Sequence, residues 1–117
     1  MALDTIGGPN WVNNLVDAPI IVNATGAEYY KQPMFYALGH FSKFLVPKSV
    51  RVGQYGKTDH ALHDSVLTTV FERPDRSLVL TILNKNNHPV MLQLHDPQRG
   101  YLSTDVMADS METLIWY

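Results

Sequence analysis

The groups able to do acid–base or metal chemistry are spread thinly along this chain. Its eleven carboxylates fall singly on loops and strand ends, from Asp17 and Glu28 through Asp59, Asp64, Asp75 and Asp96 to Asp109 and Glu112. Cleaving a glycosidic bond with retention needs two carboxyls about 5 to 5.5 Å apart across the bond. These positions supply no such pair, and each acid reads as a solvated surface group. His60 and His63 are the close pair among five histidines, and with Asp59 or Asp64 they could meet at a metal. Residues three apart on a strand point to opposite faces, however, so no metal site is expected. Ser42, Ser65 and Ser110 lack a nucleophile elbow or triad context, and no glycine-rich phosphate loop is present. The residues call for no cofactor.

Composition narrows the remaining classes. With 117 residues, 45% hydrophobic and 17% charged, the chain has the make-up of one soluble globular domain or part of one. The net charge of -2 collects in no block of either sign, so nucleic acid is not an expected partner. No apolar run reaches the roughly 18 to 20 residues that span a bilayer. Met1-Ala2-Leu3-Asp4 lacks the basic-then-apolar order of a secretory signal, so this segment carries no signal peptide. The absence of cysteine excludes disulfides, thiolate zinc sites and cysteine nucleophiles within it.

The element that organises the rest is a helix in Tyr30–Phe44. Pro33 suits its first turn, where a missing N–H has no partner to lose. Met34, Phe35, Leu38, Phe41 and Leu45 then recur along one face, with Gln32, Tyr36, Ser42 and Lys43 largely opposite. So apolar a stripe needs a large partner. Upstream, Met1–Asp17 is rich in Gly and Asn and reads as a structured loop, either a binding rim where Trp11 stacks and the Asn amides hydrogen-bond or, the favoured reading, an ordered connector with Trp11 buried. Pro19–Val22 reads as a short strand. Asn23-Ala24-Thr25 is an N-glycosylation acceptor pattern.

Downstream of Pro47 the period becomes two. Strands are expected at Ser49–Tyr55, His63–Phe71, Leu78–Leu83, Val90–His95 and Met111–Tyr117, joined by turns at Arg73–Arg76, Asn84–Pro89 and Asp96–Gly100. About five short antiparallel strands make a β-sandwich. The fold class is therefore α+β: loop, helix, then antiparallel sandwich.

Leu3, Gly7-Gly8-Pro9-Asn10-Trp11-Val12, Val16-Asp17, Pro19–Val22 and Tyr30–Phe44 closely resemble the animal lysosomal acid β-glucosidases, or glucosylceramidases. The likeness continues more loosely through Arg51-Val52-Gly53, Pro74-Asp75, Leu83-Asn84 and Asp96-Pro97 to Trp116. It covers this whole chain but only about the last quarter of a family member. It implies a (β/α)8 barrel joined to a β-sandwich built from both chain ends. Residues 1–46 are then the last loop and helix of the barrel, and 47–117 the C-terminal sandwich strands. It further implies a retaining hydrolysis of glucosylceramide to glucose and ceramide.

The resemblance places Asn14 on the glucose pocket, as a substrate-binding amide. Trp11, Val12, Asn13, Leu15, Val16 and Asp17 form the loop at the pocket mouth, with Leu15 standing where relatives carry an aromatic. Both catalytic Glu residues lie upstream of anything in this segment, so it holds no catalytic residue and is expected to be inactive alone. Lysosomal residence through the secretory pathway follows, which suits the Asn23 sequon. A saposin-type activator and an anionic membrane surface are the implied partners of the full-length protein. Protonating all five histidines would shift the formal charge from -2 to +3, which favours such a surface near pH 5. The alternative is a stand-alone, non-catalytic β-sandwich module that binds a partner or a lipid surface.

Overall fold

The computed structural model describes residues 2–13, 15–53 and 65–117. They divide into two compact units, Met1–Gly39 and His40–Tyr117.

In the first unit, β1 (Ala2–Asp4), β2 (Ile20–Asn23) and β3 (Glu28–Lys31) form one sheet in that order. β1 runs parallel to β2, with Ala2 opposite Ile20 and Asp4 opposite Val22. β2 and β3 are an antiparallel hairpin. Expecting loop throughout Met1–Asp17 thus fails at Ala2–Asp4. Three residues carry no readable period, and it is pairing with the distant Ile20–Val22 that makes them a strand. β3 was also unmarked in the sequence, since all four of its residues are exposed and no apolar alternation betrays it.

α1 (Pro33–Ser42) begins at Pro33 as its sequence predicts and ends at Ser42 rather than Phe44. The Phe35 N–H donates to the Gln32 carbonyl at 2.9 Å in the opening turn. None of the helix residues is buried. Met34, Leu38 and Phe41 of its apolar stripe face solvent.

The second unit is a sandwich. β4 (Val50–Val52), β5 (Val66–Glu72), β6 (Leu78–Asn84) and β9 (Ser110–Trp116) make a sheet in the order β4-β5-β6-β9. β7 (Val90–Asp96) pairs with β8 (Gly100–Val106) in a second sheet. Val70, Leu80, Ile82 and Val106 are the buried centre, with Leu92, Leu94, Leu114 and Trp116 packed against them. β6 is central and buried on both faces, with Val79, Leu80, Thr81 and Ile82 all inaccessible. That explains its nearly continuous apolar sequence. β7 alternates between half-buried and exposed along its length, as expected of a strand with one face on a core.

Among the described residues the sandwich has six strands, where about five were expected. The missed one, β8, presents mostly exposed residues and buries only Val106. It exists because seven register pairs, from Val90–Val106 to Asp96–Gly100, join it to β7. β4 ends at Val52, and the rest of the expected strand, Gln54 and Tyr55, lies outside the described residues, as do His60, His63, Asp59 and Asp64. β5 starts at Val66 and the turn after it closes as expected, Arg76 N–H donating to the Arg73 carbonyl at 2.9 Å. Three long-range bonds hold the segment around α1's end inside this unit. The His40 ring Nδ1 lies 2.8 Å from the Thr113 hydroxyl, and Arg73 donates from Nε (2.8 Å) and Nη2 (2.6 Å) to the Phe44 carbonyl.

Candidate functional site

The loop after β1 is organised by Asp4. Its Oδ1 accepts from the Ile6 N–H at 2.9 Å and the Gly8 N–H at 2.7 Å. Its own N–H donates to the Gly8 carbonyl at 2.7 Å, and the Gly7 N–H donates to its carbonyl at 3.2 Å. A tight reversal of this kind demands the two glycines. Gly7 sits at φ +79°, and a Cβ on Gly8 would stand 2.8 Å from Asp4 Oδ2 and displace the carboxylate that braces the turn. Asn10 Nδ2 donates back to the Gly7 carbonyl at 3.2 Å. At the far end, Asp17 Oδ1 accepts from the N–H of the buried Ala18 at 2.7 Å. The Asp4 carboxylate thus fastens the start of the loop, while that of Asp17 satisfies the N–H of its neighbour.

Beyond this reversal the loop's large apolar side chains are exposed. Trp11 is 93% exposed within this chain, against the expectation that it is buried. Val12, Leu15 and Val16 are exposed as well, and Asn13 has a left-handed backbone at φ 52°. Asn14 lies outside the described residues. The loop therefore carries an apolar rim on a rigid base. Asp4, the residue that builds the base, was not singled out in the sequence. The signal for it was present in Asp4-x-x-Gly7-Gly8, an Asp followed by a glycine that can take positive φ.

A second polar cluster closes one end of the sandwich. Asp96 Oδ1 accepts from the Gln98 N–H at 2.8 Å and the Arg99 N–H at 3.3 Å. Its Oδ2 receives Arg99 Nη1 at 2.9 Å and the Trp116 indole N–H at 3.2 Å. Arg99 Nη2 donates onward to the Arg76 carbonyl at 2.7 Å. The adjoining cavity of about 220 Å³ is lined by Asp96, Arg99 and Trp116 with Leu94, Tyr101 and Tyr117. Its charged groups are already paired with one another, so the cluster is a bracket joining β7, β8 and β9 and offers no free acid or base.

The Gln98 N–H, helped by the Trp116 indole and Arg99, holds the Asp96 carboxyl down to about 2 from an ordinary 3.8, against an opposing push from burial. A lowered pKa stabilises the fold above the ordinary value and loses that effect as pH falls through the folded value. The bracket is accordingly intact at pH 7 and at pH 5. Paired thermal melts of the intact protein and Asp96→Asn should show the same penalty at both pH values, shrinking only below about pH 4.

Among the described residues, no group of three or more histidine, aspartate or glutamate side chains is placed to hold a metal ion. Asn23, the sequon residue, ends β2 at the turn of the hairpin.

Comparison with known proteins places this geometry. Residues 1–45 match the model of the glycosyl hydrolase family 30 TIM-barrel domain, and residues 48–114 match that of the glycosyl hydrolase family 30 beta sandwich domain. The chain is 44% identical over 116 residues to lysosomal acid glucosylceramidase of Mus musculus, a match covering 99% of this chain and 22% of that protein. Two solved structures share the fold. SrfJ from Salmonella typhimurium superimposes with a TM-score of 0.87 at 23% identity, covering 98% of this chain and 24% of that one. The endo-beta1,6-glucanase BT3312 does so with a TM-score of 0.85 at 21% identity, covering 98% and 25%. The chain thus spans about a fifth of the length of its mouse relative. A strand, an anchored loop and a helix, followed by an antiparallel sandwich, are the end of a TIM barrel and its companion domain, and the chain belongs to glycosyl hydrolase family 30.

Proposed function

We propose that this chain is the C-terminal part of a retaining β-glucosidase that hydrolyses glucosylceramide to glucose and ceramide. Residues 1–46 then complete the barrel and 47–117 supply strands of the sandwich. The observation that carries this is the 44% identity to the mouse glucosylceramidase across 99% of the chain. The anchored loop supports it. In a (β/α)8 enzyme the segments after the barrel strands carry the chemistry, and the loop after β1 presents Trp11, Val12, Leu15 and Val16 to solvent. Those side chains form the mouth of the glucose pocket, with Asn13 and Asp17 in the same loop. Asn14 hydrogen-bonds a sugar hydroxyl.

Retention is the work of two carboxyls, one as acid/base and one as nucleophile, and both belong to the remainder of the enzyme. This chain alone is therefore inactive, and its contribution is a pocket wall and a stabilising domain. The enzyme works in the lysosome on an anionic membrane surface, with a saposin-type activator presenting the lipid. No helix among the described residues is long and apolar enough to cross a membrane.

A hybrid tests the reading directly. Replacing the matching 116-residue segment of the mouse enzyme with this chain should leave glucosylceramide hydrolysis in place. In that hybrid, Asn14→Ala removes one hydrogen bond to the sugar, about 1 to 2 kcal/mol, and lowers kcat/KM by roughly 5- to 30-fold. A folded hybrid without activity, or an Asn14→Ala variant with unchanged kcat/KM, would overturn the proposal.

A further inference from the structure

The hairpin of the first unit carries a feature that hydrolysis does not use. β2 ends at Asn23, and Asn23 faces Glu28 at the start of β3. Ala24-Thr25-Gly26-Ala27 closes the turn, with Ala27 at φ 51° and its N–H donating to the Ala24 carbonyl at 3.4 Å. All four turn residues are exposed. The Asn23 amide is oriented by this turn. Its Oδ1 accepts the Gly26 N–H at 3.2 Å, which assigns the carbonyl to the turn and leaves Nδ2 as the outward group. Nδ2 donates no hydrogen bond among the described residues, and it sits where a Cβ on residue 26 would come within 2.8 Å. Glycine at 26 keeps that side of the amide open.

We infer that Asn23 is an N-glycan acceptor and that the hairpin holds its glycan on the face shared with Glu28 and Tyr30. The inference rests on the proposed passage through the secretory route. In the transfer, Nδ2 bonds to the anomeric carbon of a lipid-pyrophosphate-linked oligosaccharide. The bond from that carbon to the pyrophosphate oxygen breaks with its electron pair on the departing lipid pyrophosphate, and the amide gives up one proton to the transferring enzyme's base. Thr25 supplies the hydroxyl that the acceptor pattern requires two residues on.

Once attached, the sugar has a prepared neighbourhood. Side chains alternate faces along each strand, so Asn23 and Ile21 share a face with their partners Glu28 and Tyr30. The Tyr30 hydroxyl donates to Glu28 Oε2 at 2.6 Å, fixing an aromatic ring and a carboxylate beside the acceptor. An aromatic face with a hydrogen-bonding neighbour receives the apolar side of a sugar ring and its hydroxyls. The glycan thus covers Tyr30, one of the large exposed side chains of this unit.

Substitution at Thr25 separates the glycan from the turn, because Asn23 and its bond to Gly26 remain. The full chain is expressed in animal cells behind a cleavable secretory signal, and whole lysate is run on denaturing gels so that retained or aggregated chain is counted. One mobility step is expected, removed by an N-glycan-specific amidase, kept in Thr25→Ser and lost in Thr25→Ala. No step in the parent chain, or a step that persists in Thr25→Ala, overturns the inference. Because the signal imposes the route, this result stands apart from the lysosomal reading. That reading falls if the protein in its own cells is found outside the secretory pathway. Mapping of amidase-treated peptides should place the converted Asp at Asn23.

Discussion

Asn84→Ala destabilises the sandwich by about 3 to 5 kcal/mol, an effect set by the number of groups that one amide satisfies. Asn84 is wholly inaccessible at the end of β6. Its Nδ2 donates to the carbonyls of His88 (3.1 Å), Val106 (3.2 Å) and Met107 (2.9 Å). Its Oδ1 accepts from the Asn86 N–H at 3.0 Å and from Asn86 Nδ2 at 2.8 Å. The side chain therefore ties the β6–β7 turn to the end of β8, joining the two sheets at one corner. Alanine leaves the buried Val106 carbonyl and its neighbours short of a donor, and an unmet buried group costs about 1 to 3 kcal/mol. Aspartate fares no better, since a carboxylate facing three carbonyls offers them no hydrogen. In the mouse hybrid, either change should lower the apparent melting temperature by roughly 10 °C. The exposed Asn87 in the same turn is the control, and its alanine variant should stay within about 0.5 kcal/mol of the parent. An Asn84→Ala melt indistinguishable from that of Asn87→Ala would refute the assignment.

The 117-residue chain by itself should not give a sharp, reversible melt. Its helix leaves Met34, Leu38 and Phe41 exposed at 38%, 57% and 40%. Fully burying such a side chain is worth about 1.5 to 3 kcal/mol, and here much of that is forgone along one continuous stripe. Large apolar patches of this kind drive association. Among the described residues the two-stranded β7–β8 sheet also has unpaired edges, which invite pairing with other chains. The expected outcome is concentration-dependent aggregation with strong binding of a hydrophobic dye. Leu38→Glu combined with Phe41→Lys should reduce both, because it removes the stripe without touching the sandwich core. A monomeric parent chain with a two-state transition, or a double variant that aggregates as readily as the parent, would count against this account. If residues 1–46 complete the barrel as proposed, the same double substitution should instead destabilise the hybrid enzyme.

What could be read from the sequence alone follows one pattern: local signals spoke and non-local ones did not. Pro33 and the spacing of Met34, Leu38 and Phe41 set the helix start and its unpartnered face. The turns at Arg73–Arg76 and Asp96–Gly100, the alternation of β7 and the apolar run of β6 each showed in a few adjacent residues. The motif Gly7-Gly8-Pro9-Asn10-Trp11 and the stretch from Tyr30 to Phe44 carried the family. Tertiary structure alone decided β1 and β8, which are strands by virtue of partners elsewhere in the chain. It also turned Trp11 outward and brought the Asn84 amide to the distant carbonyls of Val106 and Met107. Each depends on groups brought together only when the backbone closes on itself. A periodicity reports which way a side chain faces within its own element, whereas a hydrogen bond between distant segments has no trace in the spacing of either one.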